Sequence, residues 1–352
     1  MGALHWNTEA LRLQLDPLLP GIEVEVVDTT GSTNTDLLER ARAPVPAEDG
    51  VGPAHVRRSV ESRAFGGARQ LPAQTSGLGA APFTPCLLIA EQQTGGRGRQ
   101  GRGWVSQRGA SLTFSLALPI AAADWSGLSL AVGVALAEAL EPEPVVEGRL
   151  SIGLKWPNDL WLVDAPGRGR KLGGVLIETV PRGAQRIAVI GIGLNVQPLE
   201  APADVTTGYA CLRELDREAT APALLARIAA PLAESLRAFE REGFAPFRSR
   251  FAARDLLFGQ AVRTTQRDLP DGTAAGIGTD GSLIVRPPQG GERRVASGEV
   301  SVRVIGPSPA ALACATGRTS SSAAPVQSDG AVKPDTCQAA SSAAPARATP
   351  RC

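Results

Sequence analysis

The chain has little of the side chains that carry most nucleophilic and metal chemistry. Only two histidines, His5 and His55, occur in 352 residues. One lies near the start and the other in a stretch of low complexity, which argues against a Ser-His-Asp or Cys-His mechanism and a histidine-rich metal site. The five cysteines (Cys86, Cys211, Cys314, Cys337, Cys352) are scattered, with no CxxC spacing. Neither a disulfide framework nor a zinc ribbon is expected, and a cytoplasmic, reducing setting is. Aromatic residues make up 4% of the chain and the formal net charge is +1. An RNA- or DNA-gripping surface, which needs a basic field and stacking rings, fits poorly. No stretch reaches the roughly 18 consecutive apolar residues of a membrane span. Glu9, Arg12 and Asp16 break up the N-terminal apolar pattern, so no signal peptide is expected. A GxxxxGK[ST] phosphate loop is also missing.

What is present divides into three regions. Residues 1–256 alternate strand-like and helix-like segments, the pattern of an α/β or α+β domain. Strands are expected at Ile22–Val27, Cys86–Ala90, Ser111–Leu118, Ile152–Trp156, Leu172–Thr179 and Arg186–Ile192. Helices are expected at Asn34–Ala41, capped by Ser32 or Thr33, at Ser126–Leu140, at Pro222–Glu240 with a kink at Pro231, and at Ala245–Ala253. Residues 43–85 are rich in Pro, Gly, Ala and Ser and read as a mobile insertion. Residues 257–305 carry short β-prone runs between turn signals such as Pro270-Asp271-Gly272, the pattern of a small β-barrel. Residues 306–352, rich in Ala, Ser, Pro and Thr, read as a disordered tail.

The chemistry concentrates in a few motifs. Glu91–Trp104 reads EQQTGGRGRQGRGW and sets Arg97, Arg99 and Arg102 among glycines. Glycine lets backbone approach a ligand closely, and guanidinium offers forked donors to phosphate or carboxylate. Both GxGxxG matches, Gly96–Gly101 and Gly276–Gly281, are followed by β-prone segments, so a dinucleotide fingerprint fails on context. Lys155-Trp156-Pro157-Asn158-Asp159 ends an apolar strand with a lysine held in place, suited to neutralising phosphate charge, although Asn158-Asp159 also reads as a plain turn. Lys171-Leu172-Gly173-Gly174 and Gly191-Ile192-Gly193-Leu194-Asn195 put glycine pairs inside strands, where a flat ligand or close packing accounts for them equally. Ser32-Thr33-Asn34 opens a helix, where capping alone explains it but polar ligand atoms are also welcome.

Together these motifs resemble the biotin–protein ligases over about residues 20–305: the GRGRxGRxW loop, KWPND turn, KLGG strand and GxGxN strand occur in the family's order. The resemblance implies an α+β fold, a mixed sheet flanked by helices of the biotinyl/lipoyl ligase, class II synthetase-like type, with a small C-terminal SH3-like barrel. It implies ATP and biotin as substrates, with Mg²⁺ accompanying ATP and Asp159 a nearby carboxylate. It implies a partner, the biotin carboxyl carrier protein of acetyl-CoA carboxylase or a similar enzyme. By the same match Ser32, Thr33, Asn34 and Gln93 line the biotin site, and Arg97, Gly98 and Arg99 bind biotin and the adenylate. Lys155 takes the main catalytic role, with Arg97 and Arg99 beside it, and Lys171 and Asn195 lie on the nucleotide side. Gln100 stands where the family often has another arginine. No helix-turn-helix segment is expected before the first strand, so no DNA partner is; a homodimer through sheet edges is compatible. The rivals are a lipoate–protein ligase or octanoyltransferase of related fold, and an RNA-binding module.

Overall fold

The computed structural model describes residues 4–43, 82–143, 148–199, 208–296 and 302–305. Nearly all of the expected 43–85 insertion and the 306–352 tail lie outside those residues. In chain order the elements are α1 (Thr8–Leu15), β1 (Glu23–Thr30), α2 (Thr33–Arg42), β2 (Cys86–Gln93), β3 (Gly96–Arg97), β4 (Gly103–Trp104) and β5 (Ser111–Pro119). Then come α3 (Leu128–Leu140), β6 (Ser151–Lys155), β7 (Asp159–Ala165), β8 (Arg168–Arg182), β9 (Gln185–Asn195), α4 (Ala221–Glu242) and α5 (Arg248–Ala252). Last are β10 (Ala261–Thr264), β11 (Asp271–Ile277), β12 (Leu283–Arg286), β13 (Arg293–Val295) and β14 (Val302–Val304).

Seven strands form one mixed sheet in the order β1-β2-β5-β9-β8-β7-β6, with β1 and β2 parallel and every other pair antiparallel. Both faces are covered, α1, α3 and α4 on one and α2 on the other. That is why β2 begins as a continuous apolar run: Leu87 and Ile89 join the α3–α4 core, while Cys86 and Leu88 pack under α2 with Leu37, Leu38 and Ala41. Helix α3 is apolar all round and correspondingly buried. Helix α4 continues through Pro231 as one element.

Two segments were not expected from the sequence. Helix α1 is amphipathic, with Leu11 and Leu15 buried and its first turn capped by the Asn7 side chain. Strand β7 pairs with β6 in a hairpin closed by Lys155 opposite Asp159; the Asn-Asp pair signalled a turn, and what followed it was the returning strand.

The C-terminal strands form an antiparallel sheet in the order β13-β12-β11-β10-β14. Its end strands are three residues long and, among the described residues, do not pair with each other. The expected barrel is therefore an open sheet, because such short ends offer too few ladder bonds to close a ring. Its core (Val262, Ala274, Leu283, Val285) is continuous with that of the large sheet. At the seam Trp156 is buried and donates Nε1 to Gly281 O at 3.0 Å, and Arg248 Nε donates to Ile277 O at 2.9 Å. Gly281 (φ 73°) presses directly on the Gly127 backbone.

A Cβ at Gly281 would sit 2.6 Å from Gly127 Cα. Gly281→Ala is therefore expected to destabilise the protein by roughly 1–3 kcal/mol, combining left-handed backbone strain with overpacking. Urea unfolding reads this directly, and an unchanged midpoint would show that the seam does not depend on this close approach.

Candidate functional site

The α2 face of the large sheet changes character along its strands. Near one end it is apolar, with Ala117 of β5, Val189 of β9 and Val180 of β8 under α2. Farther along the same strands several positions turn polar or small: Ser115 on β5, Gly191 and Gly193 on β9, Gly174 and Glu178 on β8. There only the first turn of α2, with Thr33 and Asn34, meets the sheet, and a cavity of about 190 Å³ opens under the arginine loop.

Ser32, Thr33, Asn34, Gln93, Arg97, Gly98, Arg99, Lys155 and Lys171 all line this cavity. The floor is a hydrogen-bonded cluster at the start of α2, where Ser32 is the N-cap. Gln93 Oε1 accepts from Thr33 N at 2.8 Å and Thr33 Oγ1 at 3.1 Å. Thr33 Oγ1 lies 2.6 Å from Ser115 Oγ, which donates to Asn34 Oδ1 at 2.6 Å. The Asn34 amide donates in turn to Leu176 O at 3.2 Å and Glu178 Oε2 at 3.0 Å. These side chains are largely or fully buried, so each depends on a neighbour for its hydrogen bonds.

The glycines explain how the sheet accommodates this. A Cβ at Gly191 would collide with the Asn34 amide, and one at Gly193 with the Trp104 indole. Packing of the protein's own side chains onto the strand accounts for both of these glycines. The loop itself is a narrow antiparallel pair, β3 with β4, that turns through Gln100 and Gly101, both with left-handed φ (58° and 69°).

Positive charge surrounds the cavity. Arg97, Arg99 and Arg102 come from the loop, Lys155 from the end of β6, Lys171 from β8 and Arg303 from β14, so the small sheet contributes to the wall. Asp159 is the one carboxylate among the described residues of the lining, and Lys171 Nζ sits 2.8 Å from its Oδ1. The Lys155 ammonium lies 4.5 Å over the Trp161 ring. Burial, partly offset by Asp159, pushes it down to about 8. Burial also lowers Arg99, whose Nη1 donates to Asn158 Oδ1 at 3.3 Å. Asn158 is fixed across the gap to β8: its Nδ2 donates to Val175 O at 2.8 Å and its carbonyl accepts from Val175 N at 2.9 Å. Arg97 pairs with Glu178 and reaches Thr35 Oγ1 at 3.3 Å. Such a cluster is suited to two anions meeting in a dry site, which needs charge neutralisation and alignment more than a covalent nucleophile.

Asn195 is the exception among the expected residues. It does not line the cavity; its buried amide ties Lys171 O (3.2 Å) to Ala210 O (3.0 Å). It thereby holds β8 against the segment that follows β9. Conversely, Ser115, Glu178, Trp161 and Arg303 were not singled out from the sequence. Ser115 left a trace as a polar residue in an apolar strand, and Glu178 as the acid ending Val175-Leu176-Ile177; Arg303 left none.

The model of the biotin/lipoate A/B protein ligase family matches residues 80–195, which span β2 to β9. A biotin–[acetyl-CoA-carboxylase] ligase of Mycobacterium tuberculosis is 33% identical over 269 residues, 73% of this chain and 79% of that protein. The bifunctional ligase/repressor BirA of Salmonella typhimurium is 36% identical over 60% of this chain and 67% of its own length. The structure of the Aquifex aeolicus biotin protein ligase in complex with biotin and ATP shares the fold, with a TM-score of 0.59 and 24% identity over 80% of this chain and 99% of that one. The chain belongs to the biotin–protein ligase family.

If Trp104 on Gly193 seats the loop, Gly193→Ala should push the indole off β9. Limited trypsin digestion is then expected to cut at Arg97, Arg99 or Arg102 several-fold faster than in the wild type, as local opening governs such cleavage. Equal cleavage rates would mean that the loop is held by other contacts.

Proposed function

We propose that this protein activates biotin with ATP and transfers it to a lysine of a biotin carboxyl carrier protein, such as that of acetyl-CoA carboxylase. In the first step a biotin carboxylate oxygen attacks the α-phosphate of ATP, the bond to the β-phosphate oxygen breaks, and pyrophosphate leaves. In the second, the carrier's lysine ε-amine attacks the acyl carbon of biotinyl-5′-AMP, an amide forms, and AMP leaves as the anhydride bond breaks. The observation that carries this reading is the convergence of Arg97, Arg99 and Lys155 on a cavity floored by Ser32, Thr33, Asn34 and Gln93.

The roles are those that the family resemblance implies, and the geometry supports them. Hydroxyl and amide groups at the start of α2 suit the ureido ring, which needs both donors and acceptors. Lys155, desolvated against Trp161, is the cation placed to bridge the biotin carboxylate and the α-phosphate, and it relieves the repulsion between two anions. Arg97, Gly98 and Arg99 close over the adenylate and keep water from the mixed anhydride. Lys171, paired with Asp159, is assigned to the nucleotide side by the family resemblance. Asn195 acts at one remove, by holding the backbone of Lys171.

Magnesium enters with the nucleotide. The lining offers it one carboxylate, Asp159, and that is already on Lys171. The residues present do not make an oxygen cage of the kind magnesium takes, and the ATP phosphates supply its oxygens. Buried free thiols at Cys86 and Cys211 support a cytoplasmic setting, and no described helix is long and apolar enough to cross a membrane. The reading concerns ligase activity alone and assigns no DNA partner. For a second copy the β1 edge is the better candidate, since among the described residues Leu154 of the other edge strand, β6, is already bonded to Arg254 and Leu256.

ATP–pyrophosphate exchange should require biotin, should not respond to lipoate, and should be lost in Lys155→Ala. Exchange with lipoate alone would move the protein to the sister activity, and none with either acid would remove the adenylation reading.

The free-enzyme ammonium that receives the anions is lost as pH rises through about 8. The kcat/KM for biotin should therefore fall above that pH, since this parameter reports the free enzyme. Lys155→Arg, slower because the fork geometry differs, should keep its charge and carry no such limb. A limb that persists near pH 8 in the arginine variant would assign it to another group.

A further inference from the structure

Beyond the cationic lining, one acidic side chain touches both working edges of the site. Glu178 lies on β8, on the α2 face between Leu176 and Val180. Its Oε2 accepts from Asn34 Nδ2 at 3.0 Å, and its Oε1 pairs with Arg97 Nη2. Asn34 belongs to the floor and Arg97 to the loop, so a single carboxylate spans the two. Thr33 N donates to Gln93, the Thr33 hydroxyl to Ser115 and the Ser115 hydroxyl to Asn34, so that with Glu178 and Arg97 these residues form an unbroken hydrogen-bonded chain from pocket floor to loop.

The donors of Arg97 show why this arrangement positions the guanidinium. The group carries five N–H donors in a rigid plane. Glu178 takes one from Nη2 and Thr35 Oγ1 one from Nη1. Two anchors fix the plane, and the remaining donors are left for an anion in the cavity that Arg97 lines. On the other side, the amide of Asn34 is oriented by a charged acceptor on Nδ2 and a hydroxyl on Oδ1. Charge-assisted bonds of this kind are stronger and better directed than neutral ones.

We infer that Glu178 is a positioning residue for biotin activation: it holds Arg97 over the cavity and orients Asn34 in its floor, so that binding at the floor and retention of the adenylate under the loop depend on the same carboxylate. The inference rests on the biotin reading above. Without the charge, the one remaining carbonyl oxygen of a glutamine can accept from Arg97 or from Asn34 but not from both, and the bond it keeps is weaker. Both ligand binding and adenylate retention then weaken, while the step that needs Lys155 is untouched.

The test compares the wild type with Glu178→Gln, Glu178→Asp, Arg97→Ala and the Glu178→Gln/Arg97→Ala pair. It measures biotin-dependent ATP–pyrophosphate exchange and the first-order release of pre-formed biotinyl-5′-AMP. Glu178→Gln is expected to raise the KM for biotin about tenfold, the loss of one charged hydrogen bond, with kcat at saturating biotin little changed. It should also speed adenylate release, but not in the Arg97→Ala background, because the carboxylate acts on the loop through that arginine. Glu178→Asp, which keeps the charge on a shorter stem, should fall between wild type and Gln and guards against a folding defect in the Gln variant. An unchanged KM in Glu178→Gln, a parallel fall in kcat, or additive release rates in the double variant would overturn the inference while leaving the biotin reading intact. A wild type without biotin-dependent exchange would instead remove that reading, and the inference with it.

Discussion

Cationic side chains crowded around a small cavity repel one another, and taking them out of water adds to the cost. The architecture of the site follows from meeting that cost without filling the cavity with counter-charge. Lys171 is given Asp159, Arg97 is given Glu178, and Arg99 reaches the neutral Asn158 side chain. Lys155 receives no direct carboxylate and rests on the Trp161 ring. The ammonium with the least direct neutralisation is thus the one held below its ordinary range. A bound carboxylate and phosphate would gain most from that group, which ties the electrostatics of the site to its proposed chemistry.

The large sheet makes this possible by changing its surface within single strands. Because side chains alternate, β5 and β9 turn one dry face to the α3–α4 side, and β8 adds Leu172 and Val175 to the same core. The opposite face is apolar under α2 and polar or glycine under the loop. The core that stabilises the strands and the groups that line the cavity therefore share the same backbone, and rigid strands set the polar cluster. The small sheet is drawn into the same arrangement, through the Trp156–Gly281 bond at the base of the lysine hairpin and through Arg303 in the wall.

Much of this was legible in the sequence, for reasons that differ by residue. A continuous apolar run marked β2, since strands covered on both faces need apolar side chains at consecutive positions. Ser32 was readable as a cap because a helix start leaves unpaired N–H groups that short oxygen side chains satisfy. The arginine–glycine loop and the lysine turn stood out because few structural needs place such residues together. Helix α1 and strand β7 were missed: one is a single amphipathic helix of eight residues, and the other sits behind a turn signal that its own hairpin explains. The C-terminal strands were found, but their closure was not, since ring closure depends on strand length and shear and not on local pattern.

The sequence by itself determined which residues could do the chemistry and which chemistries lacked residues altogether. Charge, hydrogen-bonding capacity and backbone freedom are properties of each residue and travel with it. Tertiary structure alone decided who faces whom. It placed Asn195 behind Lys171 instead of in the cavity, set Ser115 and Glu178 into one chain with Asn34 and Arg97, seated Trp104 on Gly193, and brought Arg303 to the wall. Those partners are separated along the chain by up to well over a hundred residues, and only the register between strands fixes which side chains share a face.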